Sequence, residues 1–241
     1  MNRPRKEKHM NIKNLIIALV ILLVVFFAVR GRMALWACRQ GYLVIVKTIL
    51  LTGLDINTRD GDGHTLLLNA STRAIFNFDD IDEKKDEQKK ATPLMEYRYK
   101  KKLVRYLIEK GADINATGKD GRWNVLTVAV SHDDAEDVKY YLSKGADPKI
   151  KHDRDYTMLM MTGNIEITRM LVEGGAEVNA AATNGFTALM RAKDAEIVKF
   201  LISKGANVNA RSKDGRTVLQ RALDSKDYIK AKLIENAGGR K

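Results

Sequence analysis

Paired aliphatic residues, a short polar stretch and a glycine recur along the chain as one phrase. It reads "YLIEKGADINA" (106–116), "YLSKGADPKI" (141–150), "MLVEGGAEVNA" (170–180), "FLISKGANVNA" (200–210) and, in a worn form, "ILLTGLDINT" (49–58). The aliphatic pairs, Leu201 and Ile202 for example, mark the buried stripe of an amphipathic helix, and the cation before the glycine suits the negative end of the helix dipole. Gly53, Gly111, Gly145, Gly175 and Gly205 then take the left-handed position that stops the helix. Asp113, Asp147 and Asn207 follow two residues later and support a turn. A second punctuation comes next: "DGDGHT" (60–65), "KDGRW" (119–123), "TNGFT" (183–187) and "KDGRT" (213–217) read as hairpin turns. Thr65, Thr157, Thr187 and Thr217 stand where they can cap the following helix.

The five glycines are spaced 58, 34, 30 and 30 residues apart. A period in this range means stacked supersecondary units, none of which can bury its apolar face alone. The phrase "TNGFTALMRAKDAEIVKFLISKGANVNA" (183–210) resembles the ankyrin repeat family, and the resemblance extends over nearly all of residues 33–241. It implies an all-α solenoid of helix-turn-helix-hairpin units. Six units are expected, at about 33–59, 60–118, 119–151, 152–181, 182–211 and 212–241. The family's "TPLH" stands here as "TLLL" (65–68), "TMLM" (157–160), "TALM" (187–190) and "TVLQ" (217–220). The histidine that ties neighbouring repeats in the family is therefore absent, and Met160 and Met190 offer apolar packing instead. The 30-residue period predicts first helices about three residues short in the fourth and fifth units.

The 58-residue gap holds a charged insertion, at about 73–99, between the two helices of the second unit. A rival parse starts a seventh unit at "TPLM" (92–95), but residues 65–91 contain no second helix ending in the recurring phrase. The acidic run Asp79, Asp80, Asp82, Glu83, Asp86 and Glu87, mixed with Lys84, Lys85, Lys89 and Lys90, reads as a solvated segment or a partner-binding appendage.

Ahead of the repeats, residues 1–32 carry a basic start and then an apolar run, Leu15 to Val29, closed by Arg30 and Arg32. The run predicts one transmembrane helix, through which the chain would meet the lipid bilayer. A cleavage site is missing where two arginines stand, so an uncleaved single-pass anchor is favoured over a removed signal. "LWAC" (35–38) resembles a lipoprotein box, but Trp36 is bulky for its place. Five basic residues before the run outnumber Arg30, Arg32, Arg39 and Lys47 after it. That bias puts the repeats outside the cytoplasm, on the periplasmic or extracellular side, and the resemblance as a whole suggests a bacterial membrane-anchored member of the family.

The net charge of +12 would suggest nucleic acid until it is divided, because +6 lies in residues 1–32 and the other +6 is spread over residues 33–241. No nucleic-acid motif accompanies it, so no nucleic-acid partner is expected. A single cysteine, Cys38, excludes an internal disulfide framework and a cysteine-based zinc cluster. His9, His64, His132 and His152 lie scattered, without ligand spacing or a nucleophile motif. No enzyme, no cofactor and no metal site is read from the chain.

The remaining constellation is positional. His64, Arg122, Trp123, Tyr156, Phe186 and Arg216 stand at or just after the hairpin turns, where stacking sets equivalent positions side by side. They read either as a partner-binding stripe, since Trp, Tyr and Arg dominate binding hot spots, or as covers folded over the edge of each repeat. Tyr156 and Phe186 are the pair best suited to the second role. The functional expectation is a non-enzymatic scaffold or adaptor, tethered to a membrane, that binds another protein through hairpin tips and inner helices. A cell-envelope protective factor, or an enzyme accessory subunit with a small-molecule or metal site, is the alternative.

Overall fold

The computed structural model describes residues 12–76, 92–119 and 121–240, with side chains from residue 22 onward except at 72–76, 92–100 and 153. Twelve helices follow one another as six antiparallel pairs among these residues. They are α1 (Ile12–Gln40) with α2 (Leu43–Leu50), α3 (Leu66–Phe76) with α4 (Thr92–Glu109), and α5 (Val125–Ser131) with α6 (Ala135–Ser143). Next come α7 (Met158–Met161) with α8 (Ile165–Glu173), α9 (Ala188–Arg191) with α10 (Ala195–Ser203), and α11 (Val218–Asp224) with α12 (Tyr228–Asn236).

Each inner helix packs on the next, α1 on α3, α3 on α5, α5 on α7, α7 on α9 and α9 on α11, so the pairs stack into a solenoid. The core runs its length as one cluster, from Ala34, Ala37 and Cys38 through Leu66, Leu103, Leu107, Leu126, Met158 and Leu171 to Leu201 and Ile234. Met160 and Met190 are buried in it. Among the described residues there is no strand. The hairpins reduce to single antiparallel bridges, Arg59–Thr65, Lys151–Thr157, Ala181–Thr187 and Arg211–Thr217.

Side-chain caps fix the register. Asp134, Asn164, Asp194 and Asp227 each accept a backbone N–H at the start of an outer helix. Thr65, Thr187 and Thr217 do so for inner helices, and Thr217 forms a reciprocal capping box with Gln220. Asn124 takes this place for α5. Thr157 does not cap α7, contrary to expectation. The Met160 amide donates to the Thr157 carbonyl at 2.9 Å instead, a tighter turn that withdraws the hydroxyl's partner. The inner helices α7 and α9 have four residues against seven in α5 and α11, which accounts for the 30-residue period.

At the N-terminal end, α1 runs unbroken through residue 32. Its last turns are the first inner helix of the stack, and Arg30 already bonds the Thr52 carbonyl at 2.6 Å. Leu22–Val25 and Phe27 lie exposed beyond the stack. The expected span, Leu15 to Val29, falls partly outside the residues whose side chains are described. Among the described residues no helix is long and apolar enough to cross a membrane.

The expected insertion begins as a continuation of α3 and ends as the first turns of α4. α4 continues without a break from Thr92 to Glu109, so "TPLM" lies in its first turn. The charged run at 79–90 lies outside the described residues.

Candidate interaction surface

The hairpin ends are built by short-range bonds and then joined to one another. In the first, the Asp60 carboxylate accepts from the His64 amide at 2.9 Å, from Arg39 at 2.6 Å and from the Asn69 amide at 2.9 Å. Burial alone would raise this carboxyl, but the donors from Asn69, His64 and Arg39 outweigh it and hold Asp60 below the usual aspartate range. In the third, Arg154 and Asp155 take φ of 56° and 61°, the left-handed region that the other turns give to glycine. Backbone bonds then cross between hairpins: the Lys119 amide donates to Asp62 at 3.0 Å, Thr183 to Arg154 at 2.7 Å and Lys213 to Asn184 at 2.9 Å.

On this frame the six candidates divide. Tyr156 is half-buried, with its hydroxyl accepting from Asn184 at 3.1 Å and its ring 5.2 Å from the Arg191 guanidinium. Phe186 is half-buried under Arg221, 4.0 Å from the ring centroid. Trp123 is half-buried and meets His152 edge-on at 4.3 Å. His64 is half-buried, its Nδ1 3.9 Å from Asp60. Arg122 and Arg216 are exposed, and Arg216 pairs with Asp224 in its own repeat at 3.1 Å. The aromatics therefore reach forward to the next repeat, while Arg122 and Arg216 stand exposed, Arg216 within an ion pair of its own repeat. Arg154, which the sequence did not single out, is exposed as well.

A second row, on the loops that follow the outer helices, was also not singled out. Asn57 accepts from the Asp113 amide at 2.9 Å, Asn115 from Asp147 at 2.8 Å, Asn179 from Asn207 at 2.7 Å and Asn209 from Arg240 at 2.9 Å. Asn115, Asn179 and Asn209 each donate to the next repeat's left-handed glycine, at Gly145, Gly205 and Gly238. The recurrence of Asn four residues after the glycine was the available signal. Lys149 interrupts it.

Among the described residues no group of three or more His, Cys, Asp or Glu is placed to hold a metal ion. Cys38 is buried, and desolvation pushes its thiol up to about 12, far from a reactive thiolate.

The family model described as "Ankyrin repeats (3 copies)" matches residues 68–152, 126–212 and 156–238. The chain belongs to the ankyrin repeat family. It is similar to Ankyrin repeat and SAM domain-containing protein 6 of Rattus norvegicus, 35% identical over 82 residues that make up 32% of this chain and 9% of that protein. The Mus musculus counterpart is 34% identical over the same share of each chain. The chain thus matches only 9% of the length of these curated relatives. Among solved structures, an ankyrin repeat domain from Acinetobacter baumannii superposes with a TM-score of 0.69 at 26% identity, over 86% of this chain and 98% of that one. A chain from the predatory endopeptidase of Bdellovibrio bacteriovorus in complex with an immunity protein gives 0.64 at 24% identity, over 84% and 96%, and shows the fold alone.

Two departures from the ankyrin pattern carry the remaining polar chemistry. Eight residues before the left-handed glycine stand Leu103, Asp137, Ile167, Ile197 and Lys230. Asp137, 6% exposed, lies 3.5 Å from Lys101 and 3.4 Å from Arg105, cations of the preceding outer helix. Burial, then repulsion from Asp134, raises its carboxyl, with Lys101 and Arg105 opposing. Lys230, 5% exposed, donates to the carbonyls of Met190 and Ala192 at 2.8 Å each. Those carbonyls close the four-residue helix α9, and Arg191 closes α7 in the same way through the Met160 carbonyl at 2.8 Å. A short ankyrin helix leaves carbonyls without intrahelical partners, and here a cation from the next repeat supplies the donor.

Proposed function

We propose that this chain is a non-enzymatic ankyrin adaptor, tethered to a membrane through α1, that binds another protein with the exposed arginines of its hairpin ends and the adjoining inner helices. Ankyrin repeats are protein–protein interaction modules. The observation that carries the reading is the division of labour along the hairpins. Tyr156, Phe186 and Trp123 lean on the next repeat, whereas Arg122, Arg154 and Arg216 stand exposed on turns that are each bonded through the backbone to a neighbouring turn. Guanidinium groups carried on turns whose backbone is held by hydrogen bonds suit carboxylate-rich partners.

The tether rests on the apolar run Leu15 to Val29 and on the exposed Leu22–Val25 and Phe27 of an unbroken α1. A helix that bare outside its own stack is suited to lipid. The excess of basic residues before the run favours repeats outside the cytoplasm.

The experiment is fractionation of full-length protein followed by affinity capture from the membrane fraction. The reading expects the chain to float with membranes, to keep its original N-terminus, and to retain a partner that competes with an acidic peptide. A soluble chain beginning near residue 32, or a lipid on Cys38, contradicts the tether.

A further inference from the structure

We infer that the loop edge of the first two repeats is seated in the phospholipid headgroup layer, through a crevice formed by Leu50, Leu51, Leu54, Ile56, Tyr106 and Lys110. This rests on the tether proposed above and says where the repeats sit once the tether is in place.

Height along α1 is the first support. The apolar run ends at Val29, and the next two residues already touch the loop after α2. Arg30 donates to the Thr52 carbonyl at 2.6 Å, and a Cβ placed on Gly31 would touch Thr58 Cγ2 at 3.4 Å and Leu54 Cδ1 at 3.9 Å. At about 1.5 Å of rise per residue, that loop lies roughly 3 Å past the end of the apolar run. The polar layer on each side of a bilayer is about 5–8 Å deep, so with Val29 at the hydrocarbon boundary the loop falls inside it. Rigidity is the second. The helix is continuous from Ile12 to Gln40, with its last turns buried in the stack, so the height is set by the fold and not by a linker.

The chemistry at that height matches. Leu51, 88% exposed at the end of α2, projects beside the crevice, an arrangement unfavourable in water. At its wall the Tyr106 ring has Lys47 Nζ 4.8 Å and Lys110 Nζ 5.9 Å from its centroid. A phospholipid supplies both complements, acyl chain for the leucines and phosphate for the two ammonium groups. Tyrosine rings are enriched at this depth, and lysine stems can lie along lipid while their heads reach the phosphates. Asp55, the carboxylate on the same loop, accepts from the Asn57 amide at 2.9 Å and so is turned into its own turn.

The test uses full-length chain in phosphatidylcholine vesicles, with Leu51→Cys carrying an environment-sensitive fluorophore and Tyr228→Cys, exposed on α12, as the reference site. Native Cys38 is buried and stays unlabelled in the folded chain. Lipid bearing a nitroxide high on the acyl chain should quench the Leu51 label at least threefold more than the Tyr228 label. Lys47→Gln with Lys110→Gln should reduce that difference while vesicle flotation is kept. Equal quenching at both sites in a chain that floats with the vesicles overturns the seat and leaves the tether standing. Energy transfer between labels that grows with protein density, without nitroxide quenching, assigns the crevice to a second copy and also overturns it. A chain that does not float removes the tether, and the seat with it.

Discussion

Arg221 lies over Phe186, its guanidinium carbon 4.0 Å from the ring centroid, and its Nη2 donates to both Asp214 carboxylate oxygens at 2.8 and 2.7 Å. The fifth repeat's aromatic is thus clamped by the sixth repeat's inner helix. A half-buried aromatic under a cation contributes both area and cation–π energy, so Phe186→Ala should destabilise the chain by about 2 kcal/mol. Trp123→Ala, which removes the contact with His152, should act in the same direction. Thermal unfolding of both variants checks this, and unchanged midpoints would show that these rings are not staples.

How much of this was legible differs by residue. The helix endings, the hairpins and the shortened α7 and α9 follow from spacing and glycine placement, because local backbone chemistry repeats wherever the phrase does. The double role of the hairpin aromatics was visible as an open choice. What leans on what was not, since the partner of Phe186 lies 35 residues away and no local pattern names it. Lys230 and Asp137 left a trace, as polar residues in a column of leucine and isoleucine. The carbonyls that Lys230 serves become exposed only once α9 is known to stop after one turn. Thr157 misled because its competitor for the Met160 amide is its own backbone carbonyl.

Two glycines separate conformational strain from steric conflict. Gly205 has φ +81° with open space where a Cβ would stand, so Gly205→Ala should cost only the left-handed penalty, about 1 kcal/mol. Gly185 has φ +78°, and a Cβ there would meet the Lys213 nitrogen at 2.8 Å and Ser212 Cα at 2.9 Å. Gly185→Ala should therefore cost at least about 2 kcal/mol, because the next hairpin must move. Equal effects in urea unfolding would contradict the bonding of neighbouring hairpins.

Burial lowers the Lys230 ammonium from 10.5 to about 8, with Asp227 opposing. The folded chain then gives up this proton at lower pH than the unfolded chain. Between about pH 8 and 10.5 the unfolded state binds more protons, so the contribution of Lys230 to stability rises with pH in that window. Relative to Lys230→Met, the wild type should gain up to about 3 kcal/mol between pH 7 and 10.5. A difference in unfolding free energy that stays flat with pH would show that the bonds to Met190 and Ala192 hold the cation fully charged.

Cys38 sits in the core with its thiol pushed up to about 12, so a thiol reagent at pH 8 should leave the folded chain unmodified and label one site per chain after denaturation. Fast labelling of native protein would mean that the first repeat opens readily.

The central claim is that the hairpin arginines bind while the hairpin aromatics hold the stack. The most direct measurement is partner affinity and unfolding midpoint, taken together, on the Arg122→Ala, Arg216→Ala double variant of the full-length chain. One hot-spot truncation costs about 2 kcal/mol or more, so even if only one of the two arginines is a hot spot affinity should fall by at least roughly thirtyfold. The midpoint should stay within about 1 °C, because exposed charge pairs such as Arg216 with Asp224 contribute little to stability. Undiminished affinity in that variant would contradict the claim.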